Sequence, residues 1–174
     1  MRTAIVLLTG VFCLAACSGG SRSSSATTTT ANSHPVGSLG STLVIPGVTG
    51  AAAVTLLDMI DPIADATGRK AQPGTRYVAV RLRFVSRATG VYREDPYAGL
   101  AVVGNDGNGY PARPGQAAGC SDFNRGNIDL QPDQQVTGCV EVQLPEHVKV
   151  VQIQLVSDLG LGNTVATWNL PHGS

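Results

Sequence analysis

The sequence predicts an all-β domain, a two-sheet antiparallel sandwich of about seven strands, preceded by an export signal and a linker. Three observations carry this. Apolar residues alternate with a period of two in several short segments, the spacing of half-buried strands. The chain holds 21 Gly and 10 Pro, which punctuate the stretch between those segments and leave no room for a long helix. Its longest continuous apolar run lies at the N-terminus, directly ahead of a Ser/Thr tract.

The strands follow in order. Residues 41–46 (STLVIP) and 51–59 (AAAVTLLDM) are short apolar runs. Residues 75–86 (TRYVAVRLRFVS) give the clearest alternation. Val78, Val80, Leu82 and Phe84 fall on one face, and Tyr77, Ala79, Arg81 and Arg83 on the other. Residues 98–104 (AGLAVVG) form a fourth segment. In 135–145 (QVTGCVEVQLP), Val136, Val140, Val142 and Leu144 share a face in which Gly138 is a gap. Residues 148–157 and 164–170 complete the set. Seven strands separated by turn signals predict a sandwich. The stretch 112–131 reads as the longest irregular region, and one helical turn is expected around 61–67.

The N-terminus reads as a secretory signal. Arg2 supplies the positive charge, and residues 4–14 (AIVLLTGVFCL) are apolar but too few to span a bilayer, which takes about 20 residues. Leu14, Ala15, Ala16 and Cys17 follow: an aliphatic residue, two small residues and a cysteine. This motif resembles the lipobox of bacterial lipoproteins. The resemblance implies a diacylglyceryl thioether on the Cys17 thiol and cleavage before it, so that residues 1–16 and Cys13 leave with the signal. Two acyl chains, or three after N-acylation, anchor stably where a single chain does not. Residues 17–40 then read as a flexible tether, with too little apolar surface to offset the entropy of ordering. Seventeen residues from 18 to 34 have a random-coil reach of roughly 20–25 Å. The expected address is the extracytoplasmic face of the cell membrane, with the domain spanning residues 41–171.

The chain carries 12 basic and 12 acidic side chains, and loss of Arg2 leaves a charge near −1. A balance of this kind excludes an electrostatic nucleic-acid binder. With Cys13 removed and Cys17 lipidated, Cys120 and Cys139 remain, and in an oxidising compartment they read as a disulfide. Closing a loop of this length restricts the unfolded chain by about 3 kcal/mol.

Three stretches carry a second resemblance: QPGTRYVAVRLRFVS, GLAVVGNDGNGYPA and LQPDQQVTGCVEVQLP. Each places a Pro/Gly or Asp-Gly turn against an alternating strand. Across about residues 50–170 the layout resembles the telokin-like, immunoglobulin-like domains of bacterial lipoproteins and secreted antigens. The resemblance implies fold and envelope location, and carries over no catalytic residue.

No motif for a cofactor, metal or catalytic centre emerges, so none is expected. Residues 105–109 (NDGNG) lack the ligand pattern of a calcium loop and read as a hairpin turn. Asp58, Asp61 and Asp65 read as a solvated loop face. His34, His147 and His172 lie far apart, with no nucleophile elbow nearby. Trp168 reads as a core anchor. Two surfaces are candidates for a protein or envelope-component partner. The first is the cystine loop 121–127 (SDFNRGN), with Phe123 as the apolar anchor and Arg125 as the polar one. The second is a basic stripe centred on Arg81 and Arg83, flanked by Arg76 and Arg87. The expected role is non-catalytic binding. The alternatives are an inhibitor that blocks a lysozyme or protease cleft with the cystine loop, a small-ligand carrier with a cavity between the sheets, and an enzyme with a dispersed site.

Overall fold

The computed structural model describes residues 34–171. The signal segment, Cys17, most of the linker and His172 lie outside the described residues. Eleven strands build the domain: β1 (Val36–Ser38), β2 (Thr42–Gly47), β3 (Gly50–Ile60), β4 (Thr75–Ser86), β5 (Tyr92–Glu94), β6 (Leu100–Gly104), β7 (Gly109–Arg113), β8 (Ile128–Leu130), β9 (Gln135–Pro145), β10 (Val150–Val156) and β11 (Val165–Asn169). A single helical turn, α1 (Pro96–Gly99), is capped by Asp95, whose carboxylate accepts from the Tyr97 amide.

All seven expected strands are present. Four short ones join them, β1, β5, β7 and β8, so the count of about seven is corrected to eleven among the described residues. The folded part reaches back to Val36 rather than starting at residue 41. There β1 pairs in parallel with β11, which satisfies backbone groups that a linker would leave to water. The helical turn expected at 61–67 is replaced by a bridge between Asp65 and Ala117. The Asp65 side chain accepts from the backbone amides of Thr67 and Arg69, which holds this segment open rather than wound.

Nine strands form one continuous ladder in the order β1-β11-β10-β6-β7-β9-β4-β3-β2, and β5 pairs separately with β8. The ladder folds into two layers at β7. Residues 109–111 of β7 pair with β6, and residues 112–113 pair with β9. The result is an all-β sandwich. Its core takes the alternating faces expected of β4 and β9. Val78, Val80, Leu82 and Phe84 meet Val140, Val142 and Leu144, all buried, with Trp168, Ile153 and Leu155 from the opposite layer. The Trp168 indole N–H donates to the Ser41 carbonyl at 3.0 Å, so the ring is buried without an orphaned donor.

Gly138 explains the one break in the apolar face of β9. A Cβ there would stand 2.9 Å from the Phe123 ring. Phe123 occupies the vacant position, 1 % exposed, edge-on to Phe84 with ring centroids 5.6 Å apart.

Candidate functional site

The expected partner surfaces change once these residues are placed. Phe123 is a core residue and cannot anchor a partner, which corrects its assignment to the contact loop. The loop turns inward because Phe123, Asn124, Arg125 and Gly126 all adopt left-handed backbone, with φ between 52° and 89°. Arg125 stays exposed, beside Thr67, Asp95, Tyr97 and Asp122 on a shallow hollow. Non-Gly residues in this conformation each cost about 1–2 kcal/mol. Arg125→Gly is therefore expected to raise stability by roughly 1 kcal/mol, measured as a higher urea midpoint with an unchanged slope.

The basic stripe is also reapportioned. Arg76 is structural: it grips Asp61 through two bonds of 2.6 and 2.7 Å and donates to the carbonyls of Pro145, Glu146 and Val148. Arg81 is half-buried, opposite Asp58 on β3 and Cys139 on β9. Arg83 is half-buried too, and its Nε is enclosed without a hydrogen-bond partner. Both arginines remain partly exposed on the outward face of β4. The Asp106 carboxylate accepts from the Asn108 amide and the Tyr110 hydroxyl, as a hairpin turn requires.

Cys120 and Cys139 form the disulfide. It lays the 114–122 loop over the outer face of β9, burying Ala79, Ala117 and Cys139 in a second small cluster. Next to it lies an ion triad that the sequence reading missed. Arg69 bridges Asp65, at 3.0 Å, and Glu141, whose side chain is almost wholly buried. The guanidinium also stacks on the Tyr77 ring at 4.9 Å. Burial pushes the Glu141 carboxyl above the usual range, with Arg69 pulling the other way. The Thr67 hydroxyl, backed by two backbone amides and Arg69, holds Asp65 down to about 2.

The sign of the pH response follows. Asp65 contributes stability that is complete above about pH 4 and lost as pH falls toward 2. Glu141 acts oppositely. Its raised pKa favours the protonated fold, so stability declines as pH climbs through and above the ordinary glutamate range. Melting temperature against pH is expected to peak in mild acid. Asp65→Asn should flatten the descent on the acid side of that peak.

The feature best suited to binding lies at one end of the sandwich. Two turns meet there, 47–50 between β2 and β3, and 157–164 between β10 and β11. The Val48 amide donates to the Asp158 carboxylate at 2.6 Å and ties them together. The second turn is fixed from below by Glu94 on β5, only 3 % exposed. Its carboxylate accepts from the amides of Asp158 at 3.1 Å and Leu159 at 2.7 Å, and from the Tyr92 hydroxyl at 3.2 Å. Burial raises the Glu94 pKa against these bonds. Asp158 and Leu159 are left-handed, at φ 56° and 58°, and Gly160 continues the bend at 77° where a Cβ would strike the Ala98 carbonyl. This backbone turns Leu159 and Leu161 outward. They line an open groove of about 500 Å³ with Val48, Thr49 and Arg93. Leu161 is 87 % exposed and Val48 90 %.

Large aliphatic side chains at the tips of tight turns are unusual where polar residues are the rule. That signal is visible in GVTG and DLGLGN, but the sequence does not reveal that the two turns adjoin. Among the described residues no group of His, Cys, Asp and Glu is arranged to hold a metal ion. No helix there is long and apolar enough to cross a membrane.

No protein-family model matches the chain, and no curated protein matches it in sequence. Solved structures match it in fold, two of them with a TM-score above 0.5. MPT63, a secreted protein of Mycobacterium tuberculosis, aligns with a TM-score of 0.56 at 15 % identity, over 78 % of this chain and 97 % of its own. The putative lipoprotein YcdA of Bacillus subtilis aligns with a TM-score of 0.51 at 10 % identity, over 74 % of this chain and 38 % of its own. At such identities the likeness is one of architecture: this chain shares with both proteins the same all-β layout.

Proposed function

We propose that the protein is an extracytoplasmic, lipid-anchored immunoglobulin-like domain with a non-catalytic binding role, and that it meets its envelope target with the groove end. The observation that carries this reading is the groove itself: outward-facing Val48, Leu159 and Leu161, held by a buried carboxylate rather than left to a floppy turn. A carboxylate buried for positioning is a cost that a plain connection would not require.

Location is supported by the lipobox-like motif ending at Cys17, by the disulfide, and by the two fold neighbours, a secreted protein and a putative lipoprotein. The immunoglobulin-like reading is supported by strand order. β3, β4 and β9 stand as A, B and E, while β11, β10, β6 and β7 stand as G, F, C and C′. The disulfide departs from the immunoglobulin pattern, since it joins β9 to a loop rather than linking the two sheets.

A photoreactive amino acid replacing Leu161 in the intact protein, in its native envelope, tests the reading. The same probe at Leu39, on the opposite end, is the control. A specific adduct at Leu161 alone is expected, whether protein, lipid or wall polymer. Equal or absent labelling at the two positions would remove the groove end as a binding surface.

A further inference from the structure

The groove end is also the end at which the chain leaves the domain. β1 runs parallel to β11, and β11 starts directly after the 157–164 turn. The Thr167 amide donates to the Pro35 carbonyl at 2.9 Å, and the Val165 amide donates to His34 Nδ1 at 3.3 Å. His34 therefore exits beside the apolar turn, with Cys17 seventeen residues upstream. Six large apolar side chains are notably exposed among the described residues: Val36, Leu39, Val44, Val48, Leu159 and Leu161. Three of these, Val48, Leu159 and Leu161, belong to this end. Two exposed cations share it. Arg93 lines the groove, its Nε paired with the Asp129 carboxylate at 3.0 Å on the exposed surface, and the Arg87 amide donates to the Ala51 carbonyl beside the 47–50 turn.

From this convergence we infer that the groove end docks on the lipid bilayer itself, with Val48, Leu159 and Leu161 entering the interface and Arg87 and Arg93 at headgroup level. This inference rests on the binding role proposed above and names its target. The upstream segment is a poor occupant for the same groove, because residues 18–33 are dominated by Ser, Thr, Gly and Ala. A bilayer offers what the surface has: an apolar layer for aliphatic tips, flanked by anionic groups for arginine. A short tether attached at the same end holds those tips at high local concentration over the membrane. The other end, with Leu39 and the NDGNG turn, would face away.

The test uses residues 17–174, which contain the entire core and the disulfide. Cys17 is then the one thiol outside the disulfide, and it couples to a maleimide lipid in phosphatidylglycerol/phosphatidylethanolamine vesicles. Coupling in this way makes the result independent of lipidation in the cell. Leu161→Trp supplies the reporter, and buried Trp168 provides a constant background. The expected result is a blue-shifted emission on coupling, quenched by brominated acyl chains, with no such change for Leu39→Trp. For the uncoupled domain, Val48→Asp with Leu161→Asp should weaken vesicle partition at least about tenfold, the equivalent of roughly 1.4 kcal/mol. Emission unchanged on coupling, or equal quenching from both ends, overturns the inference. The mass of Cys17 in protein purified from bacteria tests lipidation separately, so an unmodified Cys17 would sink the anchor and leave the docking result intact. A protein adduct from the Leu161 photoprobe would keep the binding surface and displace the bilayer as its target.

Discussion

Phe123→Ala is expected to cost about 3–5 kcal/mol of folding stability, the largest effect of any single truncation in the irregular half of the domain. Phe123 is fully enclosed and fills the space that Gly138 leaves in β9. Its edge-on contact with Phe84 adds to the burial. Nothing nearby is free to collapse into the hole, since both layers are ladder-bonded on either side. The substitution also removes what holds four successive left-handed residues in place, so the turn would relax once the ring is gone. Domains of this size are stable by only about 5–15 kcal/mol, so the loss is a large share of the whole. Denaturant unfolding of the variant reads it directly. A change below about 1 kcal/mol would mean the ring does not sit in the core. Gly138→Val, which drives a side chain into the same space from the opposite wall, is expected to be destabilising as well.

Removing the disulfide ranks next. Cys120→Ala with Cys139→Ala is expected to lower stability by about 3 kcal/mol, the loop-entropy value for a 19-residue separation. The melting temperature should fall by roughly 10 °C. The loop it pins covers Glu141 and carries Pro114, whose carbonyl accepts from Arg69 at 3.1 Å. Freeing that loop admits water to the ion triad, so the Glu141 carboxyl should return toward the usual range. The variant is accordingly expected to lose part of the decline in stability above the glutamate range. Reduction of the native protein should reproduce both effects. An unchanged midpoint after complete reduction would rule out a stabilising role for the bridge.

The sequence exposed the strands that are long enough to show a period and concealed those that are not. β4 and β9 each turn over several apolar–polar cycles, and their inward residues are the ones expected. β1, β5 and β8 have three residues each, too few to show alternation, and β7 contains Pro111, which argues against a strand by composition. Phe123 was misplaced for a similar reason. Its neighbours are Ser, Asp, Asn, Arg and Gly, a loop composition, and the cavity that receives it lies on a strand fifteen residues later. Gly138 was visible as a gap, but what filled the gap was not. Glu141 sits at an outward position of β9, where alternation predicts solvent. The cover over it comes from Arg69 and from Gly115, through contacts that no local pattern encodes. The groove end combines both situations. Its aliphatic turn tips are legible as oddities in sequence, while their adjacency depends on a bond between Val48 and Asp158, 110 residues apart.

The parallel pairing of β1 with β11 has a mechanical consequence. The chain enters β1 at the groove end, and β11 runs out at the opposite end. Tension applied between Pro35 and Leu170 pulls the two strands lengthwise past each other. Every rung of the ladder, from Val36 opposite Thr167 to Ser38 opposite Asn169, is loaded at once, in shear, rather than peeled one after another. A domain held at one terminus and dragged from the other thus meets its load with its terminal strands acting as a clasp. The short ladder is a mechanical lock, and its rupture would release β1 first and leave the rest of the sandwich standing.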